Sequence, residues 1–355
     1  MNRKLIVFGN GLGRALDNDY FQLQAAMTSV WGSDLFDENE KEIIASLKGF
    51  DAAIGPTSEA DLRSAYTALI GHSMLKLSIE PETLSHWLNT NAAQFPSLLE
   101  KYIYAVAHYF HEFQFDPPQE ALWRTFTQPL IDYIFKSRSH VATLNYDTLL
   151  YAPFNRQNVT GKAFPLCRAK VDETSLGDGF QTSYTPKTFN WYNSKNPRGT
   201  YLHLHGTPLF YKKDDGVSAK RTRDNLPIPK NAEGKNQIIL GPTGLKLQLI
   251  ESCDVLKDYW EVRLPKCIRE ADEIILFGYG GADSHLNDLL KKRSPETNIH
   301  IVERNQEGTW LERKKFWSDN LSGTVSPILL DDILDFTDWD DPSKQPSIPY
   351  SEIPF

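Results

Sequence analysis

The sequence predicts an α/β protein, a doubly wound parallel sheet interrupted by a helical insertion. Three observations carry this reading. Residues 5–8 and 274–277 are short apolar runs, the pattern of strands covered on both faces. Each run stops at a glycine turn, Gly9-Asn10-Gly11-Leu12-Gly13 after the first and Gly278-Tyr279-Gly280-Gly281 after the second. Strand and helix patterns alternate at both ends of the chain, which is how a parallel sheet with crossover helices reads.

The elements follow in order. After the first glycine turn, about a hundred residues show no strand pattern. Residues 38–49, 58–76, 95–113 and 119–136 have apolar residues at helical spacing, and Pro81 opens a further helical run. Sheet patterns resume at residues 140–144, and residues 185–192 read as a hairpin arm. Residues 201–205 read as a strand, and residues 206–235 as a polar loop carrying Lys212, Lys213, Lys220, Arg221, Arg223, Lys230 and Lys235. A short strand at 237–240, a long helix at 245–271, a strand at 273–277, a helix at 284–292, a strand at 298–302 and a helix at 306–319 complete the pattern. Residues 331–341 hold six aspartates, and prolines follow at 342, 346, 349 and 354. This stretch reads as a poorly ordered or docked tail. The expected organisation is a sheet domain over 1–37 and 138–330, a helical insertion over 38–137 that packs as a small bundle or lid, and a tail over 331–355.

Composition narrows the function classes. The chain has 355 residues, 38 Lys and Arg against 46 Asp and Glu, and a net charge of −8. A whole-surface electrostatic grip on nucleic acid is not expected. No apolar run approaches the roughly 20 residues of a membrane helix. The apolar stretch near the start is too short for a signal peptide. The three cysteines, Cys167, Cys253 and Cys267, form no C-x-x-C pair, which argues against a disulfide framework and a four-cysteine zinc site. A reducing cytoplasm is the expected compartment.

Four constellations could carry chemistry. In the first, Gly9, Gly11 and Gly13 follow a strand, where backbone amides can approach a phosphate. The spacing is G-x-G-x-G rather than G-x-G-x-x-G, so a turn that binds nothing is an alternative. The second is Thr143-Leu144-Asn145-Tyr146-Asp147. Asn145 and Asp147 fall at a strand's carboxyl end, where doubly wound sheets bind ligands, or they simply cap the next turn. The third is His203-Leu204-His205-Gly206, with both histidines expected on one strand face. Histidine titrates near neutrality and suits a general base; a backbone-bonded buried histidine and a metal pair are the other readings. The fourth is Gly278-Tyr279 with Asp283 beyond, followed by Glu303-Arg304-Asn305 at the next strand end, where a carboxylate suits a ribose hydroxyl.

In this order along the chain, the four constellations resemble the SIR2 (sirtuin) fold, a Rossmann-like sheet. The resemblance covers about residues 3–16, 138–152, 200–207 and 236–306. It implies that Asn145 holds a ribose hydroxyl and water beside the nicotinamide of NAD. It likewise implies that Asp147 contacts the carboxamide and that His205 is the general base. It implies that Gly9, Asn10, Gly11 and Gly13 cradle the pyrophosphate, and that Gly278, Tyr279, Asp283, Glu303 and Asn305 serve the adenosine end. The chain departs from deacylating sirtuins in three ways. It cannot build their zinc module, Leu144 stands where they carry Gln, and Asp17, Asn18 and Asp19 replace their G-I-P-D-F-R segment. It is more similar to SIR2-like effectors of bacterial anti-phage systems, including the SIR2-like subunit of the KongMing type.

That resemblance implies a zinc-free NAD hydrolase that releases nicotinamide and ADP-ribose, with no cofactor beyond NAD as substrate. It also implies restraint by a partner, either a nucleotide-sensing or ATPase subunit, or by a homo-oligomer. The competing expectations are a sensor of NAD or ADP-ribose, and an ADP-ribosyltransferase or zinc-free deacylase. A nuclease is the least favoured.

Overall fold

A computed structural model of the chain describes residues 2–48, 50–154, 176–180, 183–190, 199–231, 236–305 and 309–346. Among these, nine strands are present. They are β1 (Lys4–Phe8), β2 (His140–Thr143), β3 (Tyr201–His203), β4 (Gly206–Lys212), β5 (Ser218–Lys220), β6 (Asn236–Ile238), β7 (Glu273–Phe277), β8 (Asn298–Arg304) and β9 (Val325–Leu330). Six of them form one parallel sheet in the order β3-β2-β1-β7-β8-β9, flanked by helices. The first half of the helices comprises α1 (Gly11–Leu16), α2 (Leu23–Gly32), α3 (Glu38–Ala45), α4 (Arg63–Ser78), α5 (Thr90–His111) and α6 (Pro117–Ser137). The second comprises α7 (Tyr151–Phe154), α8 (Lys246–Glu251), α9 (Asp254–Asp258), α10 (Leu264–Glu270), α11 (Ser284–Lys291) and α12 (Trp310–Leu321).

The winding fixes where a ligand can sit. From β1 the chain lays β2 and β3 on one side, then crosses back to lay β7, β8 and β9 on the other. The carboxyl ends of β1 and β7 therefore flank the point where the winding reverses, and a crevice opens there in sheets of this kind. Register makes the edge level. Phe8 pairs with Thr143 on β2 and with Phe277 on β7, and Thr143 pairs with His203 on β3. The segments after β1, β2, β3 and β7 thus leave the sheet after one aligned row, while β8 runs two residues past its row member Val302.

Local sequence explains the flanking helices. Asp116 and Gln119 form a capping box, Pro117 occupies the first turn of α6, and the helix stops at Arg138, whose φ is +58°. Asp37 and Glu40 cap α3 in the same way, and Asn89 caps α5 through the Ala92 N–H at 2.8 Å. The helical region is helical as expected. It also begins earlier, since α2 already packs on α5.

Several expectations are corrected. The polar loop expected over 206–235 is corrected in its first half, where β4 and β5, with β6, form a small antiparallel sheet; residues 232–235, Lys235 among them, lie outside the described residues. The apolar Leu209 and Phe210 just ahead of the basic residues are fully buried there. The strand at 201–205 ends at His203, and Leu204 and His205 form the turn into β4. The long helix at 245–271 is broken. Cys253 is extended, with φ −117° and ψ 108°, and a π-turn at Tyr259–Arg263 precedes Pro265. Of the hairpin arm, residues 186–190 form a 3-10 turn and residues 191–192 lie outside the described residues, as does Cys167. The strand β9 had no counterpart in the sequence reading.

The tail is docked as far as residue 346. Trp339 is 1% exposed, and its ring meets those of Phe8, Phe126, Phe277 and Phe336 at centroid distances of 4.7–6.3 Å. Lys4 is fully buried at the opposite end of the chain. Its Nζ donates to the Asp340 carbonyl at 2.9 Å and pairs with Glu273. In the tail, Asp332 and Asp341 accept the Leu334 and Ser343 N–H at 2.9 and 3.3 Å, while Ile333, Leu334 and Phe336 fill the core. Residues 347–355 lie outside the described residues.

Candidate functional site

The two glycine turns lie against each other. Gly9 N–H donates to the Phe277 carbonyl and Gly11 N–H to the Gly278 carbonyl, both at 2.9 Å. A Cβ on Gly9 would sit 2.6 Å from the Gly278 oxygen, and one on Gly11 would sit 2.6 Å from the Gly278 Cα. Backbone on backbone is the reason for glycine here, and it takes up amides that could otherwise have faced a ligand. Gly13 serves packing as well: its Cβ position falls 2.5 Å from the Phe21 ring.

Beside these turns is an inner cavity of about 240 Å³. Asn145, Asp147, His205 and Asp283 all line it, although they come from three separate segments of the chain. Thr143 Oγ1 accepts the Asn145 N–H at 3.0 Å, which folds the chain back after β2. Asn145 Nδ2 donates to the Gly9 carbonyl at 3.1 Å. Its Oδ1 is buried and has no hydrogen-bond partner among the described residues. Asp147 Oδ1 accepts the Leu149 N–H at 3.0 Å, so the capping role is real. Burial pushes the Asp147 carboxyl up to about 6 against that bond and the nearby Arg223 charge. This carboxyl can therefore donate or accept a hydrogen bond near neutral pH.

His205 Nε2 is 3.0 Å from Asp283 Oδ2. Among the described residues Nδ1 has no partner, so Nδ1 is the nitrogen left to accept a proton. The ring lies between Tyr146 and Trp260, with centroids at 6.2 and 6.4 Å. Trp260 is fixed by its Nε1 donating to the Leu204 carbonyl at 2.7 Å. Burial raises the Asp283 carboxyl. The His205 hydrogen bond and charge, with Lys246, outweigh that and hold it well below the usual carboxylate range. Asp283 also caps α11 by accepting the Leu286 N–H at 3.0 Å. Asp283, expected at the adenosine end of a ligand, lines the inner cavity with its carboxylate against His205.

The two histidines do not share a face. His203 ends β3 fully buried among Tyr151, Tyr201 and Phe210, away from the cavity. Burial, with the Lys220 charge, pushes it down to about 3, which keeps it neutral. The expected alternation fails because the strand stops before His205.

Four cavity residues had no signal in the sequence reading. Lys246 opens α8 and is 7% exposed, and its Nζ lies 3.3 Å from Glu59 and 3.8 Å from Asp283 Oδ2. Glu59 comes from the 3-10 turn ahead of α4, and Phe110 from α5; with Leu23 of α2 they make the helical region one wall of the cavity. Only long-range packing brings these residues together, and no spacing rule reports it.

A larger outer cavity of about 830 Å³ lies over the ends of β1, β7, β8 and β9. It shares Asn10, Tyr279 and Gly280 with the inner one, so the two are neighbours across that rim. Asn10 is held there by its Nδ2 donating to the Phe21 carbonyl at 2.8 Å. Tyr279 Oη donates to Asn287 Oδ1 at 2.9 Å and accepts the Asp283 N–H at 3.1 Å. Glu303 lines the outer cavity, but Arg313 and Trp317 Nε1 already hold its carboxylate. Asn305 lines neither cavity; its N–H donates to the Leu330 carbonyl at 2.6 Å. Arg14, Arg304, Asp331, Asp332 and Asp335 line the outer cavity, and sequence reading gave none of them a ligand role. Asn18, from the stretch that departs from sirtuins, is there too, held by the Arg14 Nε at 3.0 Å.

The arrangement has a defined chemical capacity. A base with one fixed nitrogen, an unsatisfied amide oxygen and a carboxyl poised near neutrality surround a small cavity that opens beside a larger one. Among the described residues, no group of three His, Cys, Asp or Glu is placed to hold a metal ion, and no helix is long and apolar enough to cross a membrane. No protein-family model and no curated protein matches the chain.

Proposed function

We propose that the chain is a SIR2-like enzyme that cleaves the nicotinamide–ribose bond of NAD with water. The observation that supports this best is the unpartnered Asn145 Oδ1 buried in one cavity with His205 and Asp147. A buried polar atom without a partner calls for one, and a ribose hydroxyl or a bound water supplies it. The level sheet edge and the neighbouring outer cavity support the same reading, since the adenosine half of an extended dinucleotide needs a second chamber.

The roles follow from the geometry. Asn145 orients the attacking water through Oδ1 while Nδ2 keeps it anchored to the Gly9 turn. The C–N bond breaks with its electron pair going to nicotinamide, through an oxocarbenium-like transition state. The water oxygen bonds to the ribose carbon, and His205 Nδ1 takes the water proton. Asp147 holds the carboxamide, accepting from its NH₂ when ionised and donating to its carbonyl when neutral. The outer cavity takes the adenosine end beside Tyr279 and Arg304, while Glu303 steadies that wall through Arg313. The Asn10 and Gly280 rim carries the pyrophosphate between the two.

An unrestrained hydrolase of this kind would exhaust its own cell. We therefore place it in anti-phage defence in the cytoplasm, held in check by a second protein or by its own assembly. The test is NAD in phage-challenged cells carrying the gene and its native neighbours, for wild type and His205→Ala. Collapse of NAD in the wild type alone is the expected result. Protein-bound label from labelled NAD would instead mean transfer, and level NAD with protection intact would mean sensing.

A further inference from the structure

The inner cavity contains a chain of charges that reaches His205 from the helical region. Lys246 Nζ stands between Glu59 Oε2 at 3.3 Å and Asp283 Oδ2 at 3.8 Å, and the same Asp283 oxygen is 3.0 Å from His205 Nε2. The side chains of Lys246 and Asp283 are 9% and 5% exposed and that of Glu59 is 24%, so the Lys246–Asp283 contact lies out of solvent and the Glu59 contact at its edge. Charges so placed interact more strongly than on a surface. The other charged group facing His205 across the cavity is Asp147, with Arg223 beyond it. The remaining neighbours, Tyr146, Tyr279 and Trp260, carry no charge at neutral pH.

We propose that Glu59 and Lys246 are positioning residues that set, through Asp283, how strongly His205 binds a proton, so that the base works only while the helical region is seated. The proposal rests on His205 being the base. The charge arithmetic is simple. Two carboxylates and one ammonium leave one net negative charge to offset a protonated His205. Without Glu59, Lys246 neutralises Asp283 and nothing is left to offset it. Without Lys246, two negative charges face the ring.

The seat of Glu59 is itself defined. Ser58 and Asp61 cap the 3-10 turn that carries it. One turn into α4, Tyr66 Oη donates to the Leu240 carbonyl at 2.5 Å, just ahead of α8. The Tyr66 ring also fills the space over Gly241, where a Cβ would meet it at 2.8 Å. A partner that lifts the start of α4 separates Glu59 from Lys246 and weakens the base without touching it. Docking of the helical region and proton uptake by His205 are then one event.

The test is imidazole ¹⁵N spectroscopy of the full-length chain, with His205 assigned by its loss in His205→Gln. Wild type should show the Nε2–H tautomer. The His205 titration midpoint should fall in Glu59→Gln and rise in Lys246→Met, each by on the order of one pH unit. The double variant should return toward wild type. Thermal melts confirm that each variant is folded, and should Lys246→Met fail to fold, Glu59→Gln carries the test. An Nδ1–H tautomer, unmoved midpoints, or both singles moving the same way would overturn the proposal. The acid limb of the pH profile for NAD turnover should move with the midpoints. Shifted midpoints without NAD turnover would remove the hydrolase reading and leave the charge chain standing. Turnover with unmoved midpoints would do the reverse.

Discussion

The side chain of Asn145 donates from Nδ2 to the carbonyl oxygen of Gly9 at 3.1 Å, so the segment after β2 is bolted to the glycine turn after β1. Gly9 in turn takes the Phe277 carbonyl, which joins the turn after β7. Three of the four segments singled out in the sequence are therefore one hydrogen-bonded unit. Asn145→Ala removes both this bond and the free Oδ1. It should abolish measurable NAD loss while costing only about 1 kcal/mol of stability, because the Leu12 N–H still reaches the Gly9 carbonyl. Turnover assays paired with thermal melts check this, and retained turnover would remove Asn145 from the mechanism.

Asp283→Asn keeps the cap on α11 through its remaining oxygen and removes the charge beside His205. Turnover should fall by about 10²–10⁴-fold. KM for NAD should change little, since Asp283 holds the base and not the substrate. A large rise in KM with kcat unchanged would return Asp283 to substrate binding.

Asp147 links function to stability through pH. Burial raises its carboxyl from 3.8 to about 6, so between these values the folded chain keeps a proton that the unfolded chain has lost. Stability from this group is present below about 4 and is lost as pH rises through about 6. The Asn variant never ionises and avoids that loss, which is about 3 kcal/mol at most. Asp147→Asn should therefore raise the melting temperature more at pH 8 than at pH 5 while slowing NAD cleavage. An equal shift at both pH values would show that Asp147 ionises freely in the folded chain.

Trp339→Ala empties the space between Phe8, Phe126, Phe277 and Phe336. It should cost about 3–5 kcal/mol in denaturant unfolding. Removing residues 331–355 should be worse, because it also strips Ile333, Leu334 and Phe336 from the core. A truncated chain with wild-type stability would mean that the tail is not part of the fold.

What the sequence disclosed follows a physical division. Strands covered on both faces announce themselves as apolar runs, so β1, β2 and β7 and the turns beyond them were legible. Asn145 and Asp147 were legible because they stand just after β2, and His205 because it stands just after β3. The partner of His205 was not. Asp283 reads equally well as a helix cap, and it is one; that it also meets His205 depends on how two distant turns pack. Glu59 and Lys246 sit on amphipathic turns where a charge normally faces water. β4 was hidden because Lys212 and Lys213 end its apolar centre and open a run of basic residues, and Trp339 because aspartates surround it. In each case the local composition is polar while the one residue that matters points inward.

The placement of Lys4 has a consequence for synthesis. The central strand β1 is made early, and its neighbours lie on β2 and on the much later β7. The carbonyl that Lys4 holds belongs to Asp340, and the ring that covers Phe8 to Trp339. A nascent chain must carry β1 without this cover until the residues around Trp339 have emerged. The His205–Asp283 pair joins residues 78 positions apart in the chain, so it forms only after β7 and the turn beyond it have been made.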